Sequence, residues 1–232
     1  MPVSGTEIWK ALSWALLAVV VPLIPASAEL TVSQLIVELR PSAATADIEI
    51  ANDSRERTYI AVEPREIISP GLAAERPFVS PDPETLGLIA SPTRMVLEPR
   101  QRRTMRLAAI GSDLPRERVY RVTIKPVAGE VTSEQSGLKL LVGYDLLVLV
   151  RPKRPVLALV AKRDQHQLTL VNNGNASVEL SEGKLCNNNG TPCRPLPSKR
   201  LYAGASWTQP FTAAAIGEYR VRSADGWSSL KF

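Results

Sequence analysis

The stretch Gly137–Pro155, GLKLLVGYDLLVLVRPKRP, constrains this chain more than any other. Its even positions Leu138, Leu140, Val142, Tyr144, Leu146, Val148 and Val150 carry no charge, while its odd positions run from Lys139 and Asp145 to Leu147 and Leu149. Period-two alternation marks a β-strand, and a switch to apolar residues on both sides marks entry into a sandwich interior. Read as one strand at ~3.3 Å per residue, 138–150 spans roughly 43 Å, about twice a common strand. Such a strand extends past its own domain and leaves a row of apolar side chains in need of a partner. The Arg-Pro-Lys-Arg-Pro that follows cannot continue a ladder and reads as a stiff linker. The pattern alone serves a long core strand running into a linker equally well.

Upstream, LTVSQLIVELR (30–40) and ADIEIAN (46–52) alternate as strands, with Asn52-Asp53-Ser54 as a turn. A third strand covers 58–63 and ends at Pro64. Residues 69–92, rich in proline and glycine, read as a loop with room for one short strand. Strands are expected up to Leu97, from Arg102 to Ile110, and over RVYRVTIK (118–125). About seven short strands without a convincing amphipathic helix spell an immunoglobulin-like sandwich. Beyond the linker the pattern restarts at 156–161, 167–172, 178–180, 198–203 and 218–223, a second, smaller β-domain with no sequence repeat of the first. The expected fold class is all-β, with two such sandwiches. The expected division is a leader at 1–28, a first domain at 29–150, a linker at 151–155 and a second domain at 156–232, ample length for two domains of about 100 residues.

Lys10, the apolar run Ala11–Ile24 and Ala26-Ser27-Ala28 read as a secretory signal peptide cleaved after Ala28. The run falls short of the ~20 residues of a spanning helix, and Pro22 and Pro25 close it. In an exported chain the two cysteines, Cys186 and Cys193, are expected to form a disulfide around the NNNGTP turn. A loop that short contributes on the order of 2–3 kcal/mol in the chain-entropy view. One histidine, His166 in KRDQHQ, gives neither a metal cluster nor a hydrolase triad, and no phosphate- or dinucleotide-binding glycine pattern occurs. Catalysis, metals, cofactors and small-molecule substrates are therefore not expected. The net charge of +5 is interspersed, and the one basic run, RQRRTMR (100–106), has no aromatic platform. It reads as a solvated strand face rather than a nucleic-acid contact.

The order and spacing of these segments resemble the PapD-like periplasmic chaperones of the chaperone–usher pathway, closest to the branch serving fimbriae of the common-pilus type. LVGYDLLVLVRPKRP looks like the family's last strand of the first domain with its Arg-Pro. SPTRMVLEPRQRRTMRL and DLPRERVYRVTI are similar to two further first-domain segments, and LTLVNNGNASVEL with the two cysteines looks like its second domain. The resemblance covers nearly all of 30–232. It implies a boomerang of two sandwiches that stabilises pilus subunits by donor-strand complementation, a known form of strand addition, and delivers them to an outer-membrane usher. On this reading Leu138, Leu140 and Val142 form the donor row, the location is the periplasm, and self-association of the free chain is left open.

The family anchors the subunit's terminal carboxylate with an Arg in the first strand and a Lys in the last. Counting from Asn52 and Arg151, Ile36 and Leu147 stand at those positions here. Arg121, Lys125 and Arg40 are the candidate replacements. Glu117, Arg151 and Asp225 match an interdomain ion network of the family. A rival reading is a secreted immunoglobulin-like structural or adhesive protein, such as a pilus subunit or a carbohydrate-binding module. A subunit would be one incomplete domain with an N-terminal donor extension, and a sugar binder would show more aromatic residues.

Overall fold

The computed structural model describes residues 30–111, 113–127, 141–187, 190–211 and 215–232. The leader with its cleavage site, and Leu138 and Leu140, lie outside the described residues. The first sandwich contains β1 (Leu30–Val32), β2 (Ile36–Leu39), β3 (Thr45–Asn52), β4 (Thr58–Ile68), β5 (Arg76–Phe78), α1 (Pro83–Leu86), β6 (Leu88–Ser91), β7 (Arg94–Leu97), β8 (Arg102–Ala109), β9 (Arg118–Val127) and β10 (Tyr144–Val150). The second contains β11 (Leu159–Arg163), β12 (Gln167–Asn172), β13 (Val178–Cys186), β14 (Cys193–Leu196), β15 (Lys199–Leu201), β16 (Ser206–Pro210), β17 (Ile216–Ser223) and β18 (Gly226–Lys231). Four sheets make the two sandwiches: β1-β3-β8-β6 faces β2-β10-β9-β4-β5, with β7 also on β4, and β11-β12-β16 faces β14-β13-β17-β18, with β15 also on β13.

The segment read as one strand over 30–40 is two, because the chain changes sheets inside it. β1 pairs antiparallel with β3, and β2 pairs parallel with β10. At the crossing, Ser33 keeps the backbone satisfied: its N–H donates to Glu49 O and its hydroxyl accepts from Glu49 N, both at 3.0 Å. β4 likewise runs past the expected stop at Pro64, which pairs with Val122 of β9. Val62 N–H points to the β7 side, toward Thr93 O, so a residue two further on would point its N–H the same way. There β7 has ended and β5 has not begun, and proline leaves no donor stranded.

The insertion 69–92 holds more structure than expected. α1 starts at Asp82, whose carboxylate accepts from Glu84 N and Thr85 N, and stops at Gly87 with φ of 79°. Arg118 and Tyr120 both donate to Leu86 O and clip the turn to the sheet. Alternating residues of the strands fill a core between the sheets of each domain, and Leu146, Val148 and Val150 of β10 belong to the first. In the second, β13 exceeds its expected length through a bulge between Ser181 and Lys184. A Cβ on Gly183 there would lie 2.3 Å from the Tyr219 ring, so only glycine fits. The Cys186–Cys193 disulfide forms as expected, joining directly paired residues of β13 and β14. Arg102 and Arg106 of the basic run pair with Glu49 and Asp47 across the sheet, as a solvated face should.

Each sandwich is pinned by one fully buried asparagine. Asn52 Nδ2 donates to Glu56 O and Leu97 O, and its Oδ1 accepts from Ser54 N. Asn172 Nδ2 donates to Ala176 O and Leu201 O, and its Oδ1 accepts from Gly174 N. Their own N–H groups bond Gln101 O and Ala205 O, both at 3.0 Å. The preceding residues Arg100 (φ 63°) and Gly204 (φ 80°) share the left-handed conformation. The halves share a corner that their sequences do not advertise.

Candidate functional site

β10 has two different sides. β9 pairs with it along its whole length, from Tyr144↔Ile124 to Val150↔Arg118, but β2 covers only Leu147 to Val150. Among the described residues, no strand pairs with the other side of Tyr144–Leu146. Leu141 and Val142, just upstream, are exposed at 41% and 59%. They carry no strand assignment, so the regular strand within the described residues begins at Tyr144 rather than further upstream. Gly143 lies close against β9, where a Cβ would meet Ile124 O at 3.0 Å and Lys125 Cβ at 3.1 Å. Val142 has the parity of Tyr144 and Leu146, which face the core. An open main-chain edge thus meets an exposed apolar segment.

The opposite face of this sheet looks toward the second domain. Val119, Leu147 and Leu149 form a buried cluster separate from the core, with Ile67 and Tyr202 packed on it. Ile36 and Leu147, matched above by counting alone, are direct cross-strand partners. Arg121 is the partner of Leu147 on the other side. Its Nε is 3.9 Å from Asp145 Oδ2, and that carboxylate is already held by Arg65 at 3.0 Å to both oxygens. Lys125 pairs with Glu63 at 2.9 Å, and Arg40 with Glu38 at 3.1 Å. Arg121 is the most loosely held of the three candidates and the one beside the Ile36–Leu147 pair. Sequence reading missed Arg65, because it ended that strand at Pro64.

At the end of β10, Arg151 enters a buried ion cluster. Its Nη1 donates to Glu117 Oε2 and, at 3.1 Å, to Ser177 O of the second domain. Its Nη2 donates to Glu38 Oε1 at 2.9 Å, and Arg222 approaches the same oxygen at 3.7 Å. Ser177 N donates to Glu117 Oε1 at 3.1 Å. The geometry brings Glu117 and Arg151 together but leaves Asp225 out. Asp225 is exposed in the turn between β17 and β18, where its N–H donates to Ser223 Oγ. Glu38 supplies the second carboxylate, because it lies on β2 directly beside β10. Its signal was a lone charge in the apolar run LIVEL.

The two carboxylates titrate in opposite directions. Burial pushes Glu117 above the usual carboxylate range, against the pull of Arg151 and the Ser177 hydrogen bonds. Burial also acts on Glu38, but hydrogen bonds and charge from Arg151, with Arg40 and Arg222, outweigh it and hold this carboxyl low. A carboxyl raised on folding binds its proton more tightly in the native state, so its contribution is present at low pH and lost as pH rises through the folded value. Glu38 behaves conversely, its contribution fading as pH falls through its depressed value. The stability lead of the wild type over Glu117→Gln should therefore grow as pH drops from 7 toward about 4.5. Paired urea titrations across that range check this, and a lead that shrinks would contradict it.

No family model matches the chain. A curated relative from Escherichia coli, named as a CS1 fimbrial subunit, is 26% identical over 191 residues, 77% of this chain and 79% of the relative. The solved class 5 fimbriae chaperone CfaA aligns with a TM-score of 0.65 and 18% identity, over 87% of this chain and 98% of CfaA. A chain from the complex of Salmonella enterica SafA pilin with the SafB chaperone aligns with a TM-score of 0.60 and 16% identity, over 90% of this chain and 98% of that one. Fold and sequence similarity point the same way as the segments: the chain has the two-sandwich fold of these solved fimbrial chaperones and is similar in sequence to the CS1 fimbrial protein.

Proposed function

We propose that this protein works in the periplasm, where it binds pilus subunits by lending them the segment around Leu138, Leu140 and Val142, and passes them to an outer-membrane usher. The observation that carries this reading is the half-open ladder of Tyr144–Leu146, continued upstream by exposed Leu141 and Val142. A partner strand added there gains main-chain hydrogen bonds, and the apolar row fills a groove that would otherwise face water. The named complex of a pilin with its chaperone supports subunits as the partner class. The leader ending at Ala28 supports export. Binding is non-covalent and involves no cofactor, and the open edge leaves the free chain able to pair with itself.

The test pairs thermal melts with capture of a pilin in the periplasm. Val142→Asp and Leu140→Asp should barely move the melting temperature of the free protein yet abolish capture, since an unpaired carboxylate in an apolar groove costs several kcal/mol. Lys139→Asp should be far milder. A first domain that unfolds without any client would end the donor assignment.

Arg121 is the residue we assign to the subunit's terminal carboxylate, on its position beside Leu147 and its loose hold on Asp145. A charge-assisted bond of about 1.5–3 kcal/mol corresponds to a loss of roughly ten- to a hundredfold in subunit affinity for Arg121→Ala. Lys125→Ala and Arg40→Ala, whose side chains serve Glu63 and Glu38, should change affinity little. A subunit titration with equal losses at all three positions would overturn the assignment.

A further inference from the structure

The buried cluster of Val119, Leu147 and Leu149 raises a question of packing. These residues lie on the face of β9 and β10 that points away from the core of their own domain, yet they are 3%, 6% and 0% exposed. Their cover includes Ile67 from β4 and the half-buried ring of Tyr202 from the second domain. Tyr202 lies in the turn after β15, with Gly204 at φ 80° folding the chain back toward β16.

A second contact fixes the ring from another direction. Gly71, in the turn after β4, approaches so closely that a Cβ there would lie 3.2 Å from Tyr202 Cδ2 and 3.5 Å from Ala205 Cβ. Beside the ring runs a cleft of ≈ 230 Å³, lined from the first domain by Glu66, Ile67, Pro70, Arg118, Val119 and their neighbours. Among the described residues of the second domain Tyr202 and Ala203 line it, and Tyr202 is the large side chain of the two. The packing there is otherwise open. Burial raises the phenol pKa, Arg121 and Arg200 pull it down, and Glu117 and Glu75 push it up, so the ring sits among charges of both signs.

We infer that Tyr202 is the pivot that fixes the angle between the two sandwiches: its ring seats the second domain on the apolar patch formed by Ile67, Val119, Leu147 and Leu149. The Arg151 cluster, together with the Glu117 N–H bond to Asn175 O, is the neighbouring fastening, two residues beyond Leu149. One polar fastening at the end of β10 leaves rotation about it free, and a seat that reaches across the sheet to Ile67 of β4 removes that freedom. Two of the four seat residues belong to β10, so the seat steadies the strand whose open edge would receive a client. The inference about the angle stands on packing alone and does not depend on which client binds.

The experiment measures the distance between the domains in the mature full-length chain without any client. Glu84 and Lys184, exposed residues of the first and second domains, are changed to cysteine and spin-labelled, the native cysteines being bonded to each other. Tyr202→Ala should at least double the width of the distance distribution, although the Arg151 cluster is intact. Tyr202→Phe should match the wild type, because the seat is apolar. Ile67→Ser, which alters the seat from the first domain and leaves the fold of the second untouched, should broaden the distribution as Tyr202→Ala does. An unchanged width with Ile67→Ser overturns the inference, whatever Tyr202→Ala does, and so does a Tyr202→Phe variant as broad as the alanine one.

Discussion

Arg151→Ala is expected to lower the unfolding free energy by about 3–5 kcal/mol, the usual penalty for breaking a buried ion pair from one side. Arg151 is 3% exposed, and its removal leaves Glu117, itself 8% exposed, with only the N–H and hydroxyl of Ser177 as described partners of its carboxylate. Glu38 loses its hydrogen bond from Nη2 and turns to Arg40 and Arg222, at 3.1 Å and 3.7 Å. Two carboxylates then share a pocket without the cation between them. Arg151→Lys should recover only part of the loss, since one ammonium cannot span both carboxylates as the planar fork does. Replacing Arg151 and Glu117 together by apolar residues should be milder than the single change, because no stranded charge remains. Chemical denaturation of the three variants checks the order; a single mutant no worse than the double would refute the account.

A comparable loss, about 3 kcal/mol, is expected from Asn52→Ala. The amide serves Glu56 O, Leu97 O and Glu98 O through Nδ2, and Ser54 N and Oγ through Oδ1. Alanine leaves these groups unsatisfied in a corner that water reaches poorly, at ~1–3 kcal/mol for each one left fully buried. Asn52→Asp should be worse near neutral pH, because an ionised carboxylate cannot donate and would face three carbonyl oxygens. The damage is local. Asn52→Ala should shift the unfolding of the first sandwich and Asn172→Ala that of the second. Domain-resolved hydrogen exchange would show this, and loss of protection in the opposite sandwich would contradict it.

Strands with one wet face were plain in the sequence: β8 and β12 alternate cleanly and lie within a residue of where they were read. β16 (SWTQP) and β18 (GWSSLK) were missed, since both are polar edge strands whose ladder, not their pattern, defines them. β13 was cut short at Leu180 because the bulge at Glu182 and Gly183 breaks the period. Period-two reasoning fails wherever a strand carries an extra residue. At the site, an exposed Val142 and the Arg151–Glu117 pair could be marked in advance, through pattern and family resemblance. Glu38 in place of Asp225, and Tyr202, could not. Glu38 depends on which strand comes to lie beside β10, at which its lone charge in LIVEL only hints, and Tyr202 on what the docking of two domains brings together, which no local pattern records.

The parallel pair of β2 and β10 joins the first sandwich's opening strands to its last. Everything between must be made and placed before Leu39 and Val150 can meet, and such long-range closure is slow to fold. During synthesis the amino-terminal part emerges first, so β9 waits with one edge bare and the core lacks Leu146, Val148 and Val150. For that interval the nascent chain is a sandwich short of its final strand. A pulse-labelling experiment on chains stalled before Tyr144 would find the amides of β9 exchanging freely along that edge, with β10 closing it only once synthesis resumes.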